Sequence, residues 1–521
     1  MDKKYALNSF QMKEIDTFTM EQIGIPSMVL MEKAAMAVVT HVKRLCEKQN
    51  KILAVCGYGN NGGDGVAVAR MLYMEGYTVD ILMVGEEHRA TKETRQQLKI
   101  AENLGVSILR KVQWAEYTII VDAIFGIGLT REVTGEFKKI IEEINCAKKI
   151  VVSVDIPSGV SADNGKVLGI AVKAHTTVTF GWNKVGCLLF PGANYAGTVY
   201  IEEIGFATKE EELSKRFYFD KKPEHLFPVR KADSNKGTYG KVLIIAGCKD
   251  MSGATYFAAK AAYRMGAGLV RIVTAAENRE ILQYQLPEAI LTTYTTKEEL
   301  TKQEETSIEE AIHWANVILI GPGLGRSNIS TLLVQMVLKS CQVPLVIDAD
   351  GLNIIATMIS EQVVEKTDAN ARVECLAKLL PKGTIITPHK KELSRLTGIS
   401  LENLVNCLID SSSMCTYNNE IIYVKKDART IVSFGSLDYI NVTGNDGMAT
   451  AGSGDVLAGL LGAILAKKDV DTYEGALLSV HLHSLAGDLA ASRKGKLGVL
   501  ASDISEALSN VLLTMEEFFD V

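Results

Sequence analysis

The chain has 521 residues, more than one ordinary hydrophobic core accommodates, so two or more domains are expected. Its 47% hydrophobic and 23% charged content is that of a globular protein, and a formal net charge of −6 argues against nucleic acid or an anionic membrane as the partner. Nine cysteines are scattered without a Cys-x-x-Cys pair or a Cys/His cluster, which points to reduced thiols rather than a disulfide framework or a zinc site. No apolar run approaches the ~18 residues of a membrane span. The opening MDKKYALNSFQMKEID lacks an apolar signal core, so a cytoplasmic protein is expected.

From Met12 to Leu45 the apolar residues recur at helical spacing, interrupted at Gly24 to Pro26, and predict two helices. Then follow a buried strand at Ile52 to Cys56, a glycine loop at Gly57 to Gly65, a helix at Val66 to Met74 and a strand at Thr78 to Val84. The loop holds a literal GxGxxG at Gly57, Gly59 and Gly62, so a dinucleotide-binding Rossmann reading with Asp80 on a ribose is one option. The same loop carries Asn60, Asn61 and Asp64, and a carboxylate at a helix start opposes a pyrophosphate there. Two amides and an acid suit a polar ligand or a cation held through oxygens; the bland alternative is turn chemistry, since Asn tolerates left-handed backbone. A strand at Ile119 to Val121 runs into Asp122 and AIFGIGLTREVTG, and one at Ile150 to Val154 runs into Asp155 and IPSGV. In a parallel sheet both acids reach the edge that carries the Gly57 loop. One such Asp is usually a cap; three converging loops favour a site, with Asp155 as acid or base and Asn61, Asp122 and Ser158 as oxygens for a monovalent cation.

GNNGGDG, VDAIFGIGLTREVTG and SVDIPSGV together resemble the epimerase domain of the NAD(P)H-hydrate repair enzymes (the YjeF family), from about Lys13 to Phe206. The resemblance implies a Rossmann-like, three-layer αβα domain. It implies that Asn60, Asn61, Gly62, Gly63 and Asp64, the stretch Gly126, Ile127, Gly128, Leu129, Thr130, Arg131 and Glu132, and Asp155 hold the hydrated dinucleotide NAD(P)HX. It also implies potassium at Asn61, Asp122 and Ser158.

Between Gly205 and Gly237 the sequence turns charged, with two prolines, and a linker is expected at 208–235 between domains at 1–207 and 236–521. A second alternation of strand and helix follows. KVLIIAG leads to a small-residue helix with Gly253 and Ala254 at its mouth, and LVRIVT, NVILIGPGLG, PLVIDADGLN and GTIITPHKKEL repeat the scheme. His389 follows Pro388 at a strand end with Glu392 three residues on; capping is the plain reading, a place on the ligand-binding edge the sharper one. His481 and His483 are two apart, so they face different sides of a helix and do not read as a metal pair. In TGNDGMATAGSGDVLAGLL, Gly452 and Gly454 let the free N–H groups of a helix start converge into an anion pocket. Asp455 repels an anion there, but suits a base that strips a hydroxyl as phosphoryl arrives; the alternative is a helix cap.

This half resembles the ribokinase-like family, and within it the dehydratase domain of the same repair enzymes, from about Gly237 onward. The resemblance places Ala254, Gly323, His389 and Asp455 at NAD(P)HX. It places Lys426, Asp427, Ala428, Arg429, Thr430, Gly452 and Gly454 at the adenine nucleotide. ADP as co-substrate comes from this resemblance, and Mg²⁺ is expected as for most phosphoryl transfers. The family usually has a glycine where Asp427 stands. The whole implies an α/β fusion that epimerises R- and S-NAD(P)HX and dehydrates the S form, without nucleic-acid or membrane partner, and as a homo-oligomer. The rival readings are a ribokinase-like kinase of a small vitamin-precursor alcohol, and an N-terminal half serving only as a dinucleotide-binding or scaffold module.

Overall fold

The computed structural model describes residues 3–208, 215–220, 233–295, 299–363, 368–407, 420–468 and 470–516. Most of the expected linker, and the SSSMCTYNNE loop apart from Glu420, therefore lie outside the described residues. The chain forms two compact units, one at Lys4–Phe217 and one from Tyr218 onward. Among the described residues no helix is long and apolar enough to cross a membrane.

In the first unit the strands are β1 (Lys3–Leu7), β2 (Lys51–Cys56), β3 (Thr78–Met83), β4 (Ser107–Leu109), β5 (Ile119–Ala123), β6 (Ile150–Val154), β7 (Thr176–Phe180), β8 (Asn183–Lys184) and β9 (Thr198–Glu202). A parallel sheet runs in the order β4-β3-β2-β5-β6-β7-β9. Its strands are continuous apolar runs because helices cover both faces; Ile52, Leu53, Val55, Ile119, Ile120 and Val121 are all completely buried. Successive strands step away from β2 on one side and then resume on the other with β5. That makes the loops after β2 and β5 the switch point, where open α/β sheets bind ligands. The predicted helix pair appears as Ser9–Glu21 and Ser27–Leu45.

The glycine loop is shorter than its composition suggests. The helix starts at Asn60, not Val66, and Gly59 is its N-cap. Both asparagines are thus on the first helical turn rather than in left-handed turn positions. Glycine is required within this helix by close approach: a Cβ on Gly62 would lie 1.7 Å from the Gly57 carbonyl oxygen, and one on Gly65 would lie 2.4 Å from Ala123 Cβ. Asp80 pairs in register with Leu53, early in β3, and is spent on the Tyr117 hydroxyl (2.8 Å) and Lys51 (3.0 Å). The Rossmann ribose role for Asp80 therefore falls.

Strand β10 (Arg216–Phe219) brings the chain to the second unit, whose strands are β11 (Lys241–Ile245), β12 (Leu269–Ala275), β13 (Ile290–Tyr294), β14 (Val317–Ile320), β15 (Leu345–Ile347), β16 (Ile385–Ile386), β17 (Ile422–Lys425), β18 (Ile431–Phe434) and β19 (Leu437–Ile440). The order is β13-β12-β11-β14-β15-β16-β17-β18-β19, parallel as far as β17 and antiparallel thereafter. Here the switch point lies between β11 and β14. Helix Ser453–Leu465 is buried along nearly its whole length, as its unbroken apolar sequence requires. It lies on helix Ser252–Arg264 so closely that a Cβ on Gly459 would fall 2.0 Å from the Ala258 carbonyl oxygen.

Gly459→Ala is therefore expected to overpack this contact and cost about 1–3 kcal/mol. The check is the thermal midpoint compared with Gly498→Ala, whose Cβ enters open space.

Candidate active sites

In the first unit the loops after β2, β5 and β6 surround a cavity of about 820 Å³. Asn60, Asn61, Asp64, Gly126, Ile127, Gly128, Leu129, Thr130, Arg131 and Asp155 line it. Gly62, Gly63 and Glu132 do not. Gly62 abuts the Gly57 backbone, Gly63 faces Met31 and Thr94, and Glu132 is exposed. The two glycines serve the close helix approach instead.

Asp122 lies inside the end of β5, not beyond it, and is completely buried. It accepts from Ser153 Oγ (2.7 Å), Ser158 N (2.9 Å) and Ser158 Oγ (2.6 Å), while Ser158 Oγ accepts from Phe125 N (2.8 Å). Asn61 approaches the neighbouring Gly126 so that an added Cβ there would meet its Oδ1 at 3.2 Å. The three residues expected at a cation thus belong to one contiguous patch.

Asp155 has left-handed backbone, φ 65°, which is rare for a residue with a side chain and persists only under surrounding constraint. Its N–H donates to Val178 O (2.8 Å) and its Oδ1 accepts from Lys184 Nζ (2.6 Å), Thr179 Oγ1 (3.1 Å) and Phe180 N (3.3 Å). Lys184 and Asp16, which the sequence reading passed over, also line the cavity. Burial, and then the charge of Asp155, push the carboxyls of Asp16 and Asp64 above the ordinary carboxylate range, Asp64 far above it.

The second site collects residues from the ends of five strands. After β11 and β14, Cys248 N donates to Gly323 O (2.6 Å), and Gly323, with φ 57°, lies against Ala254, whose Cβ an added side chain would meet at 3.0 Å. After β16, His389 caps helix Lys390–Thr397: its Nδ1 accepts the N–H groups of Lys391 and Glu392, and Glu392 accepts from the His389 N–H (2.9 Å). Capping and site are compatible, because the ring is half-exposed and its neighbour in a parallel bridge is Lys426. Burial, then Lys426, lower the imidazole pKa. The segment Lys426–Thr430 is the turn between β17 and β18. In it, Asp427 pairs with Lys390 (2.7 Å), which neutralises its charge, and Arg429 donates to Val442 O. Ala428 is exposed.

Lys426 ties the site together. Its ammonium donates to buried Asp348 Oδ1 (2.6 Å), which Thr387 Oγ1 also reaches (2.6 Å). Burial works against the ammonium, but Asp348, Glu392 and Asp455 outweigh it and the pKa is raised. A Cβ on Gly454 would lie 3.5 Å from that ammonium, so the charge faces the start of helix Ser453–Leu465. Gly452 begins this helix with φ 89° and no side-chain cap. Asp455 therefore caps nothing. Burial, then repulsion from Asp348, raise its pKa to about 7, with Lys426 pulling the other way. His481 and His483 part company as their spacing predicts, to Tyr439 OH (3.2 Å) and to Ser453 Oγ (3.4 Å).

A profile described as NAD(P)H-hydrate dehydratase matches residues 242–510, and one described as YjeF-related protein N-terminus matches 27–186. Proteins named bifunctional NAD(P)H-hydrate repair enzyme align over nearly the whole chain. That of Thermofilum pendens is 32% identical over 98% of this chain and 96% of its own, and that of Moorella thermoacetica 33% identical over 98% and 97%. The chain belongs to the family of bifunctional NAD(P)H-hydrate repair enzymes. Within that family the first unit also matches a free-standing protein, the NAD(P)H-hydrate epimerase of Oenococcus oeni, 47% identical over 38% of this chain and 96% of that one. Among solved structures, the ADP/ATP-dependent NAD(P)H-hydrate dehydratase of Bacillus subtilis is 26% identical over 56% of this chain and 96% of its own, with a TM-score of 0.46. The full-length relationship to repair enzymes sets aside the vitamin-precursor kinase.

Asp455 releases its proton only near pH 7 when folded, but near the ordinary carboxylate value when unfolded. Between those values the folded state holds the extra proton, so the stability contributed by this site is full at low pH and is lost as pH rises to about 7. Asp455→Asn lacks that loss. It is expected to be more stable than the parent at pH 8 by on the order of 2 kcal/mol, discounted for partial exposure, with the difference shrinking toward pH 5. Denaturant titrations at the two pH values check it.

Proposed function

We propose that the first unit interconverts R- and S-NAD(P)HX and that the second dehydrates the S form with ADP, giving NAD(P)H, AMP and phosphate. Water adds across an enamine double bond of the reduced ring, with the hydroxyl on the carbon next to the ring nitrogen. Such a carbon inverts without oxidation. Asp155 takes the hydroxyl proton, the carbon–nitrogen bond opens as a carbonyl forms, and the nitrogen collects the proton. Closure on the other face of the rotated carbonyl gives the other epimer. Dehydration instead needs a better leaving group than hydroxide. Asp455 takes the hydroxyl proton as the terminal phosphoryl of ADP is transferred; the ring nitrogen then expels phosphate, leaving an iminium, and loss of a proton from the neighbouring ring carbon to the departing phosphate restores the enamine double bond. Lys426 and the N–H groups of Gly452 and Gly454 suit the phosphoryl oxygens, while the Ser453 N–H between them donates to Thr450 O.

The observation that carries this reading is Asp455. It is a carboxyl poised near neutrality, uncommitted to capping, beside an ammonium and an open helix start. Lys426 and the turn to Thr430 would meet the nucleotide, and Ala254, Gly323 and His389 the hydrated ring.

Potassium fits the first unit. Among the described residues the Asn61 side chain makes no hydrogen bond, so its amide oxygen is uncommitted, and Asp122 and Ser158 would supply the further oxygens. A bound potassium would supply a fixed positive charge for anionic parts of the dinucleotide. Among the described residues no cluster of three or more His, Cys, Asp or Glu could hold a metal. Mg²⁺ would therefore come mainly on the nucleotide phosphates, with Asp348 or Asp455 nearby, the usual manner for this ion. NAD(P)HX and ADP are the small-molecule partners, with no nucleic acid or membrane, and the cytoplasm and a homo-oligomer are the setting proposed.

Asp155→Asn and Asp455→Asn divide the two activities. With a mixture of epimers and ADP, Asp155→Asn is expected to restore the NADH absorbance only for the S fraction, with epimerisation down by at least about a hundredfold. Asp455→Asn is expected to restore none while still equilibrating pure S-NADHX, followed by chromatography. Unimpaired epimerisation by Asp155→Asn would instead favour a binding or scaffold role for the first unit.

A further inference from the structure

We propose that Lys184 is the positioning residue of the first cavity, holding one oxygen of Asp155 so that the other, Oδ2, is the atom that exchanges a proton with the substrate hydroxyl. The inference rests on the epimerase reading and deepens it. Lys184 ends β8, with its side chain completely out of water. A buried ammonium is costly unless every proton is matched to an acceptor. Here three protons meet three acceptors: Asp155 Oδ1 at 2.6 Å, Thr179 Oγ1 at 2.9 Å and Phe180 O at 3.0 Å. None is left over for a ligand, so Lys184 acts through Asp155.

Asp155 Oδ1 is saturated in turn, taking Lys184, the Thr179 hydroxyl and the Phe180 N–H. Thr179 accepts from Lys184 and donates to Asp155, which fixes the direction of its hydroxyl. Among the described residues Oδ2 accepts no hydrogen bond, and Asp155 lines the cavity. The left-handed backbone of Asp155 coincides with this clamp, a strain that persists only under surrounding constraint.

The charges facing the pair make the ammonium necessary. Asp16 and Lys13 come from helix Ser9–Glu21 and Asp64 from helix Asn60–Met74. Asp16 and Asp64 both feel the charge of Asp155. The Cys187 thiol, beside Lys184 and Asp155, is pushed up to about 12 by burial and stays neutral. Without Lys184, three carboxyls would share one low-dielectric cavity with no fixed positive charge against Asp155 Oδ1, which moves the acidic limb of the activity profile upward.

The test is epimerisation of pure S-NADHX by the full-length chain without nucleotide, from about pH 5.5 to 9. Lys184→Met is expected to lower kcat near neutrality at least about tenfold, leave KM within about twofold, and move the acidic limb of the kcat profile up by about one pH unit. Lys184→Arg keeps the charge in a different shape. It is expected to lower kcat several-fold with the limb unmoved, and it decides the matter if Lys184→Met does not fold. An equal loss at every pH in Lys184→Met, a loss carried by KM, or a Lys184→Arg variant with parental kcat would overturn the proposal. Asp155→Asn, measured alongside, reports on the epimerase reading itself: activity in that variant would remove the reading, whatever Lys184 does.

Discussion

Taking a carboxylate out of water costs several kcal/mol unless a cation or a set of donors replaces the lost hydration. Both units accept that cost at the end of a parallel sheet, and in both a lysine offsets it, Lys184 fully buried and Lys426 partly so. Lys184 meets Asp155 at 2.6 Å, and Lys426 meets Asp348 at the same distance. The lysines do not abolish the strain. In each site further carboxyls remain within reach of the first, Asp16 and Asp64 in one and Asp455 in the other, and these are the groups that hold their protons to higher pH. A sheet edge that gathers acids around one fixed ammonium thereby acquires carboxyls that keep their protons above the ordinary carboxylate range.

Glycine makes the gathering possible. The helices that follow β2 and that contain Asp455 both lie closer to their neighbours than any side chain permits, at Gly62 over the Gly57 carbonyl and at Gly459 over the Ala258 carbonyl. Their N-termini are thus pressed into the crevices at the two switch points. A composition-based reading treats such glycines as loop, which is why the helix at Asn60 was expected six residues late.

Strand order could be anticipated only as alternation, but the strands themselves were legible, because parallel strands buried on both faces read as short unbroken apolar runs. The positions of Asp122, Asp155, His389 and Asp455 in the fold were legible too, since each follows such a run or opens a helix beside glycines. Lys184 and Asp348 were not. Lys184 lies 29 residues from Asp155, and Lys426 lies 78 from Asp348, and no local pattern encodes a contact across that distance. Asp427 illustrates the converse: the sequence shows an acid where the family usually has glycine, and only the fold shows that Lys390, at the start of the helix after His389, pairs with it.

The backbone of Asp155 has an evolutionary consequence. Left-handed geometry is most comfortable for glycine and tolerable for asparagine, so the two replacements that relax this position also remove its carboxylate. Against that relief, either replacement takes the charged partner from the buried Lys184 ammonium, so backbone comfort and charge pairing pull in opposite directions here. A lineage that relaxed this backbone would have to change the lysine as well, and the two positions are expected to vary as a pair.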